Sequence, residues 1–287
     1  MSLGKELLLE KIFSKVDQIP TFPKAAQRAL ELLRDENVDY RKLEEVIKTD
    51  PGIAANFLKI VNSALYALPR KVESIAQAFL YLGVDQIKFI LLSAVIGKYF
   101  DKEMIGYGVS ARTIWLHSIA CGIAGELLAR KIGTSESFLE RVYLACLLHD
   151  IGKIVLDLYT KIEVEHFKNT IKENPEWTFM QVEWLVVGVD HGLVGAELLK
   201  RWEFPEDVVF SVRAHHDDSL MVQRKLSAIV ALANAIANLM GFYSGIDSFY
   251  YSLHDDLLKL LGIKPDELEK LCEITLEKSL LIERELI

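Results

Sequence analysis

Hydrophobic residues recur along most of the chain at intervals of three and four positions, the spacing that gathers them on one face of a helix. The first such run comprises Leu7, Leu8, Ile12 and Val16. Further runs in the N-terminal part cover 25–33, 43–47, 53–62, 75–82 and 85–100. Strict apolar and polar alternation over the length of a strand does not occur, so the pattern predicts no β-sheet.

Three of these predicted helices begin after a residue that suits a helix N-cap. Asp39, Asp50 and Ser74 each precede an apolar run, and their side-chain oxygens can accept hydrogen bonds from the amides of a first helical turn. Pro51 directly follows Asp50 and fits the first helical position. Gly83 is expected to end the helix that starts after Ser74.

The second part of the chain predicts longer helices. They cover 110–131, 135–159, 179–187, 191–202, 205–214 and 223–240, followed by a tail pair at 253–261 and 265–283. The mixed polarity and two glycines of 101–108 mark the expected boundary between two helical modules. The prediction is an all-α fold in which an N-terminal bundle, 1–103, packs on a C-terminal bundle, 104–245, with a helical extension at 246–287. Since the boundary lacks the Pro- and Ser-rich composition of a flexible tether, the bundles are expected to pack as one unit.

Composition excludes several classes of protein. A content of 51% hydrophobic and 26% charged residues is too apolar for a disordered chain. No apolar run approaches the roughly 18–20 residues of a membrane span, and the N-terminus lacks a secretory signal pattern, so a cytoplasmic protein without a membrane partner is expected. Three cysteines without a CxxC pair argue against a disulfide scaffold or a cysteine-based zinc site. The net charge of −8 argues against general nucleic-acid binding.

Five of the seven histidines lie in apolar helical surroundings and follow one another as His117, His149-Asp150, His191 and His215-His216. Neutral imidazole is the commonest metal ligand, and a carboxylate can bridge two cations. Lys153, one turn after Asp150, would then face an anion bound at the metal. The alternative is that these are hydrogen-bonded core histidines, which is the commoner role of a lone histidine on an apolar helix. The other two, His166 and His254, have amphipathic surroundings, and no ligand role is predicted for them.

The order H…HD…H…HH resembles the metal-binding pattern of the HD-domain phosphohydrolase superfamily. The stretch from Leu147 to Lys153 is similar to the HD-GYP branch, which is known for cyclic di-GMP hydrolysis. A more extensive resemblance, over 12–240, is to the HD-related output domain (HDOD) family. The motifs that carry it are Ile19-Pro20-x-x-Pro23, Asp50-Pro51-Gly52-Ile53-Ala54, Val61-Asn62-Ser63-Ala64, Val72-x-Ser74-Ile75-x-Gln77-Ala78, Leu82-Gly83, Glu183, Gly188, Asp190-His191 and Trp202-x-x-Pro205.

The resemblance implies an HD-like C-terminal bundle and a set of site residues. The implied metal ligands are His117, His149, Asp150, His191, His215, His216 and Asn234, and the implied catalytic residues are Asp150 and Lys153. Imidazole ligands favour one or two divalent transition-metal ions, Fe, Mn, Ni or Zn, over Mg.

Two departures from the superfamily pattern bear on activity. Asp217-Asp218-Ser219-Leu220-Met221 stands where the HD-GYP branch has Gly-Tyr-Pro, and Asn234 stands where the superfamily has its last aspartate ligand. A neutral amide supplies no charge to a pair of cations. The resemblance therefore implies a regulatory output protein of bacterial signal transduction that binds a signalling protein partner. The alternative is a metal-dependent phosphohydrolase acting on a nucleotide or cyclic dinucleotide.

Overall fold

The described part of the chain is all-α, as predicted. The computed structural model describes residues 12, 14, 21–33, 35, 38–99, 103–160, 163–245 and 253–286. Apart from residues 12 and 14, the helix predicted around Leu7–Val16 lies outside the described residues, as do 101 and 102 of the predicted module boundary. Within the described ranges, strand-like pairing is limited to a single bridge between Met104 and Val109.

Within residues 21–99, as far as the structure describes them, the N-terminal part contains five α-helices. They are α1 (Lys24–Leu32), α2 (Tyr40–Lys48), α3 (Pro51–Val61), α4 (Ile75–Tyr81) and α5 (Val84–Ile96). The three predicted N-caps are confirmed, because the side chains of Asp39, Asp50 and Ser74 each accept hydrogen bonds from first-turn amides. Helix α5 ends at Ile96, short of the predicted residue 100.

The C-terminal part contains the longer helices and the tail. They are α6 (Ala111–Lys131), α7 (Glu136–Leu148), α8 (Gly152–Thr160), α9 (Val164–Glu173), α10 (Phe179–Val186), α11 (His191–Arg201), α12 (Glu206–Ala214), α13 (Asp218–Met221), α14 (Lys225–Leu239), α15 (Asp255–Leu261) and α16 (Pro265–Leu286). Most match a predicted helix to within two residues. Helices α9 and α13 were not predicted, because α9 is polar on average and has few apolar residues to mark its buried face, and α13 is a single turn.

The prediction of one continuous helix over 135–159 is wrong. The chain leaves the helical path after Leu148 and starts α8 at Gly152. A Cβ atom at Gly152 would overlap the carbonyl oxygen of His191 and lie 2.6 Å from the amide nitrogen of Gly195. The break therefore lets α8 pack backbone to backbone against α11, a contact that helical periodicity does not reveal.

Helix α5 connects the two parts of the molecule. Its residues from Phe89 to Ile96 are all buried, and it packs against α3 on one side and α7 on the other. The ring of Phe89 stacks on Tyr143 of α7 at 4.5 Å between centroids, and the hydroxyls of Ser93 and Tyr143 are hydrogen-bonded at 2.9 Å. The buried apolar residues form one continuous cluster through both parts.

None of the described helices has the combination of length and apolar character needed to cross a bilayer.

The close approach at Gly152 predicts a large loss of stability on substitution. We expect Gly152→Ala to lower the free energy of unfolding by more than about 4 kcal/mol, because the added methyl group overlaps main-chain atoms that cannot move independently. Urea denaturation followed by circular dichroism measures this loss.

Gly133→Ala is the matched control. Gly133 has a φ of +69°, and a Cβ there meets no atom within 4 Å, so its substitution carries only the roughly 1–2 kcal/mol cost of a left-handed backbone. Equal losses for the two variants would contradict the packing explanation.

Candidate metal centre

The structure brings six of the predicted metal ligands together. His117 comes from the middle of α6, while His149 and Asp150 follow the end of α7. His191 begins α11, and His215 with His216 follows the end of α12. They form two groups that share Asp150: Asp150, His191, His215 and His216; and His117, His149 and Asp150. Within each group the potential ligand atoms all lie within 4.8 Å of one another.

The Asp150 carboxylate lies between two pairs of imidazoles. Its Oδ2 lies 3.6 Å from Nε2 of His117 and 3.3 Å from Nε2 of His149. Its Oδ1 lies 3.4 Å from Nε2 of His191 and 3.8 Å from Nε2 of His215. A carboxylate in this position can contact a cation on either side of it.

The helix ends fix the orientation of two of these imidazoles. Nδ1 of His149 donates to the carbonyl oxygen of Cys146, and Nδ1 of His215 donates to that of Val212, each at 2.7 Å. Each acceptor lies three residues earlier, in the last helical turn, where carbonyl groups have lost their intrahelical partners. Since a carbonyl oxygen can only accept, Nδ1 of each ring carries a proton, which leaves Nε2 as the atom available to a ligand.

Hydrogen bonds to other elements orient the rings of His117 and His191, again through Nδ1. Nδ1 of His117 donates to the carbonyl oxygen of Phe242 at 2.7 Å. Nδ1 of His191 donates at 2.8 Å to Oε2 of Glu183, which also accepts the backbone N–H of His191 at 3.0 Å. The other carboxylate oxygen of Glu183 accepts from the Tyr107 hydroxyl at 2.6 Å.

The resulting geometry fits a bound cation. Nε2 atoms that carry lone pairs face each other at 3.1 Å between His117 and His149 and at 3.3 Å between His191 and His215. Two lone pairs at such distances repel unless a cation or a proton lies between or beside them. Oδ1 of Asp150 is buried without a hydrogen-bond donor, which is costly for a carboxylate oxygen. A divalent ion beside Oδ1 would pair with this oxygen and would also separate the facing Nε2 lone pairs of His191 and His215.

Burial keeps most of these rings neutral. It lowers the pKa of His117 to about 3, with a further lowering from nearby His149. Burial, together with neighbouring imidazoles, also lowers the pKa values of His215 and His216 well below the usual histidine range. Burial acts to lower the pKa of His191 too, but the Glu183 carboxylate outweighs it and the net shift is upward.

Lys153 lies beneath the carboxylate and is fully buried. Its ammonium donates to Oδ2 of Asp150 and to Oγ of Ser244, both at 2.9 Å. Burial alone would raise the pKa of Asp150, but His149 and Lys153 hold it well below its usual range. Lys153 thus supplies a fixed positive charge on the Oδ2 side of the carboxylate, and its expected contact with a bound anion stays a prediction.

Asn234, the seventh predicted ligand, lies on α14 and is buried. It lines a cavity of about 410 Å³ together with His215 and His216. Its Oδ1 accepts a hydrogen bond from Nδ2 of Asn238 at 3.0 Å. The structure thus places Asn234 beside the cluster, and its role as a ligand stays a prediction.

Several residues of the centre were not assigned by the sequence analysis. Glu183 was noted only as part of a family motif, although a carboxylate inside an apolar helix is a signal of a buried partner. Phe242 contributes through its backbone carbonyl, which sequence cannot reveal. His166 is exposed, whereas His254 pairs with Asp218 at 3.6 Å and lines the 410 Å³ cavity.

The lowered histidine pKa values predict acid sensitivity of the metal-free protein. His117 and His215 take up protons in the unfolded chain near pH 6.5 but resist protonation in the fold, so their contribution to stability is lost as the pH falls. We expect each to cost about 1.4 kcal/mol between roughly pH 7.5 and 5.5. His191 opposes this trend, because its raised pKa adds stability at low pH.

Urea denaturation of chelator-treated protein across this range measures the slope of stability against pH. The exposed His166 provides the control variant His166→Gln, which should retain the slope. His117→Gln should reduce it, and an unchanged slope in His117→Gln would contradict the assignment.

Comparison with known proteins places this arrangement in a family. The pattern of the HDOD domain matches residues 19–218, more than half of the chain. A solved structure, an HDOD domain protein with unknown function from Geobacter sulfurreducens, is similar with a TM-score of 0.71 and 26% identity, covering 96% of this chain and 89% of that one.

Two curated proteins are also similar in sequence. An uncharacterized protein of Treponema pallidum is 22% identical, covering 95% of this chain and 52% of the relative. Ribonuclease Y of Lactobacillus gasseri is 27% identical over 194 residues, covering 67% of this chain and 27% of the relative. The chain thus spans about half the length of the first relative and about a quarter of the second. The match over residues 19–218, together with the all-α fold, shows that this chain belongs to the HDOD domain family.

Proposed function

We propose that this protein is a regulatory HDOD protein that holds a single divalent transition-metal ion and acts by binding a signalling partner. The observation that carries the proposal is the Asp150 carboxylate between two sets of oriented imidazoles, with Oδ1 buried and lacking a donor. The residues that would hold the ion are Asp150, His191, His215 and His216. Imidazole-rich ligand sets suit Fe, Mn, Ni or Zn.

The charges around the cluster favour one ion over two. Asp150 is the carboxylate common to both groups of potential ligands, and the ammonium of Lys153 already neutralises its Oδ2 side. Asn234, in place of the superfamily's last aspartate, adds no charge. A second divalent ion beside His117 and His149 would therefore be poorly balanced.

Weak charge balance also supports a regulatory role over catalysis. Paired metal ions in hydrolases activate water and stabilise the attacking and leaving oxygens of the substrate. In this chain Asn234 replaces the aspartate that would help to hold a second ion, and the Gly-Tyr-Pro motif is missing from the position where the HD-GYP branch has it. In the regulatory role, the metal would stabilise the junction of α7, α11 and α12, and the helical surface would carry the partner contacts.

A metal-dependent phosphohydrolase is the second candidate. The observation in its favour is the cavity of about 410 Å³ that reaches His215 and His216 and gives small molecules access to the cluster. The similarity over 194 residues to a protein named Ribonuclease Y is compatible with this candidate.

Metal content tests the proposed ligand set directly. We expect about one equivalent of transition metal in protein purified without chelator or nickel resin, and a fall in metal affinity of roughly 10–100-fold or more in Asp150→Asn. The exposed His166 again provides a control, because His166→Gln should retain the metal. Elemental analysis finding less than about a tenth of an equivalent after metal supplementation would contradict a metal centre.

Asn234→Asp separates the regulatory role from the catalytic one. The aspartate keeps an acceptor for Asn238 and adds a negative charge beside the cluster, so we expect metal binding to tighten by roughly tenfold or more. A generic phosphodiester assay should then show hydrolysis in the variant and little in the natural protein.

Two outcomes would contradict these expectations. Unchanged metal affinity and stability in Asn234→Asp would mean that Asn234 does not face the ion. Strong phosphodiesterase turnover by the natural protein, abolished in Asp150→Asn, would favour the enzyme over the regulator.

A further inference from the structure

The cavity beside the cluster has an unusual distribution of charge for a site expected to meet nucleotides. Its wall includes the apolar side chains of Trp177, Met221, Ala231 and Leu257. The charged residues among its described lining are acidic, Glu176 and Asp218, and both are exposed at the rim. No Lys or Arg occurs among the described lining residues. Lys153 lies outside this lining, bound to Asp150 and Ser244.

The backbone around the rim supplies little compensating positive charge. The first-turn amides of α10 and α13 would be the natural anion-binding groups, but side chains already accept hydrogen bonds from some of them. Thr178 and Gln181 form a reciprocal capping box at the start of α10. The carboxylate of Asp217 accepts from the amides of Ser219 and Leu220 at the start of α13. The caps therefore leave fewer amides at both helix starts to bind a ligand phosphate.

Electrostatics thus differ between the two ends of the cavity. The inner end reaches His215 and His216, which border the Asp150–Lys153 pair and would lie against the proposed ion. The outer end carries Asp218, which pairs with His254 at 3.6 Å, and Glu176. One anionic group can be stabilised at the inner end, while a second, at the rim, would meet carboxylates.

The size and apolar wall restrict the remainder of the ligand. A volume of about 410 Å³ is near the lower end of the range of small-molecule sites, roughly 300–1,000 Å³. Trp177 is half-buried against the core and presents an aromatic surface of the kind on which a planar base stacks. The space suits one base and one sugar better than two of each.

From these observations we propose that the cavity takes a ligand with a single phosphate group on a planar, uncharged body, a nucleoside monophosphate or its equivalent. Ligands with a second phosphate, including cyclic dinucleotides and RNA, are disfavoured. This inference rests on the proposed function in one respect, the metal ion at the inner end. The discrimination between one and two phosphate groups arises from Glu176, Asp218 and the capped helix starts.

The test is a binding series on metal-loaded protein by isothermal titration calorimetry, with metal content measured before and after. The ligands are adenosine, AMP, an adenosine bisphosphate with its phosphates on opposite sides of the ribose, and cyclic di-AMP. We expect AMP to bind most tightly, with the bisphosphate and the cyclic dinucleotide weaker by roughly tenfold or more. Equal or tighter binding of either doubly phosphorylated ligand would overturn the proposal, as would absence of AMP binding by metal-loaded protein.

Variants assign the discrimination to the rim. Asp218 is 73% exposed in its side chain, so Asp218→Lys should fold normally and raise the affinity for the bisphosphate by roughly tenfold, while AMP changes by less than about threefold. Asp218→Asn should give an intermediate effect. Glu165→Lys, the same charge change on an exposed residue of α9 away from the cavity, should leave both affinities unchanged. Equal effects of Asp218→Lys and Glu165→Lys would contradict a local role.

Trp177 tests the planar part of the ligand. Trp177→Ala should weaken AMP binding by roughly tenfold without changing metal content, and Trp177→Phe should restore most of the affinity. An unaffected AMP affinity in Trp177→Ala would show that the base does not stack there. A protein that holds no metal contradicts the proposed function separately. In that case the bisphosphate and the cyclic dinucleotide should still bind more weakly than adenosine, because the rim carboxylates do not depend on the ion.

Discussion

The centre of this molecule depends on a single constraint, the direction of four imidazole lone pairs. His117, His149, His191 and His215 each donate through Nδ1 to an oxygen that cannot donate in return. Their Nε2 atoms are therefore turned toward Asp150 and toward one another. Several elements of the fold meet here, because each contributes a ring or its acceptor. His149 and His215 directly follow the ends of α7 and α12, α10 supplies Glu183, and the chain after α14 supplies the carbonyl of Phe242 to His117.

The sequence predicted the parts of this arrangement that local chemistry determines. Asp39, Asp50 and Ser74 were recognised as N-caps because capping depends on a few neighbouring residues. The order of the histidines predicted the cluster because a family resemblance supplied the spatial information that spacing alone lacks. By contrast, the break after Leu148 depends on a close approach between Gly152 and α11, which is a tertiary contact. Apolar periodicity continues across the break and therefore conceals it.

The hydrogen-bond partners of the candidate ligands were the hardest features to predict. Glu183 belongs to a family motif and Tyr107 to none, and neither position reveals that together they hold His191 in place. The burial of Lys153 against Asp150 likewise depends on Ser244, which lies 91 residues further along the chain. Hydrogen bonds of this kind give a metal ligand its tautomer and orientation. The chemistry of the centre is thus determined as much by residues without a motif as by those with one.

The hydrogen bond between His117 and the carbonyl of Phe242 has a consequence for the order of folding. It joins residues 125 positions apart, and contacts of such separation form late because a long loop must close first. The His117 side of the cluster is therefore completed only when the chain beyond α14 has packed against α6. An intermediate that lacks this contact still contains Asp150, His191, His215 and His216, the proposed holders of the ion. Formation of the proposed metal site and completion of the C-terminal part are thus separable events.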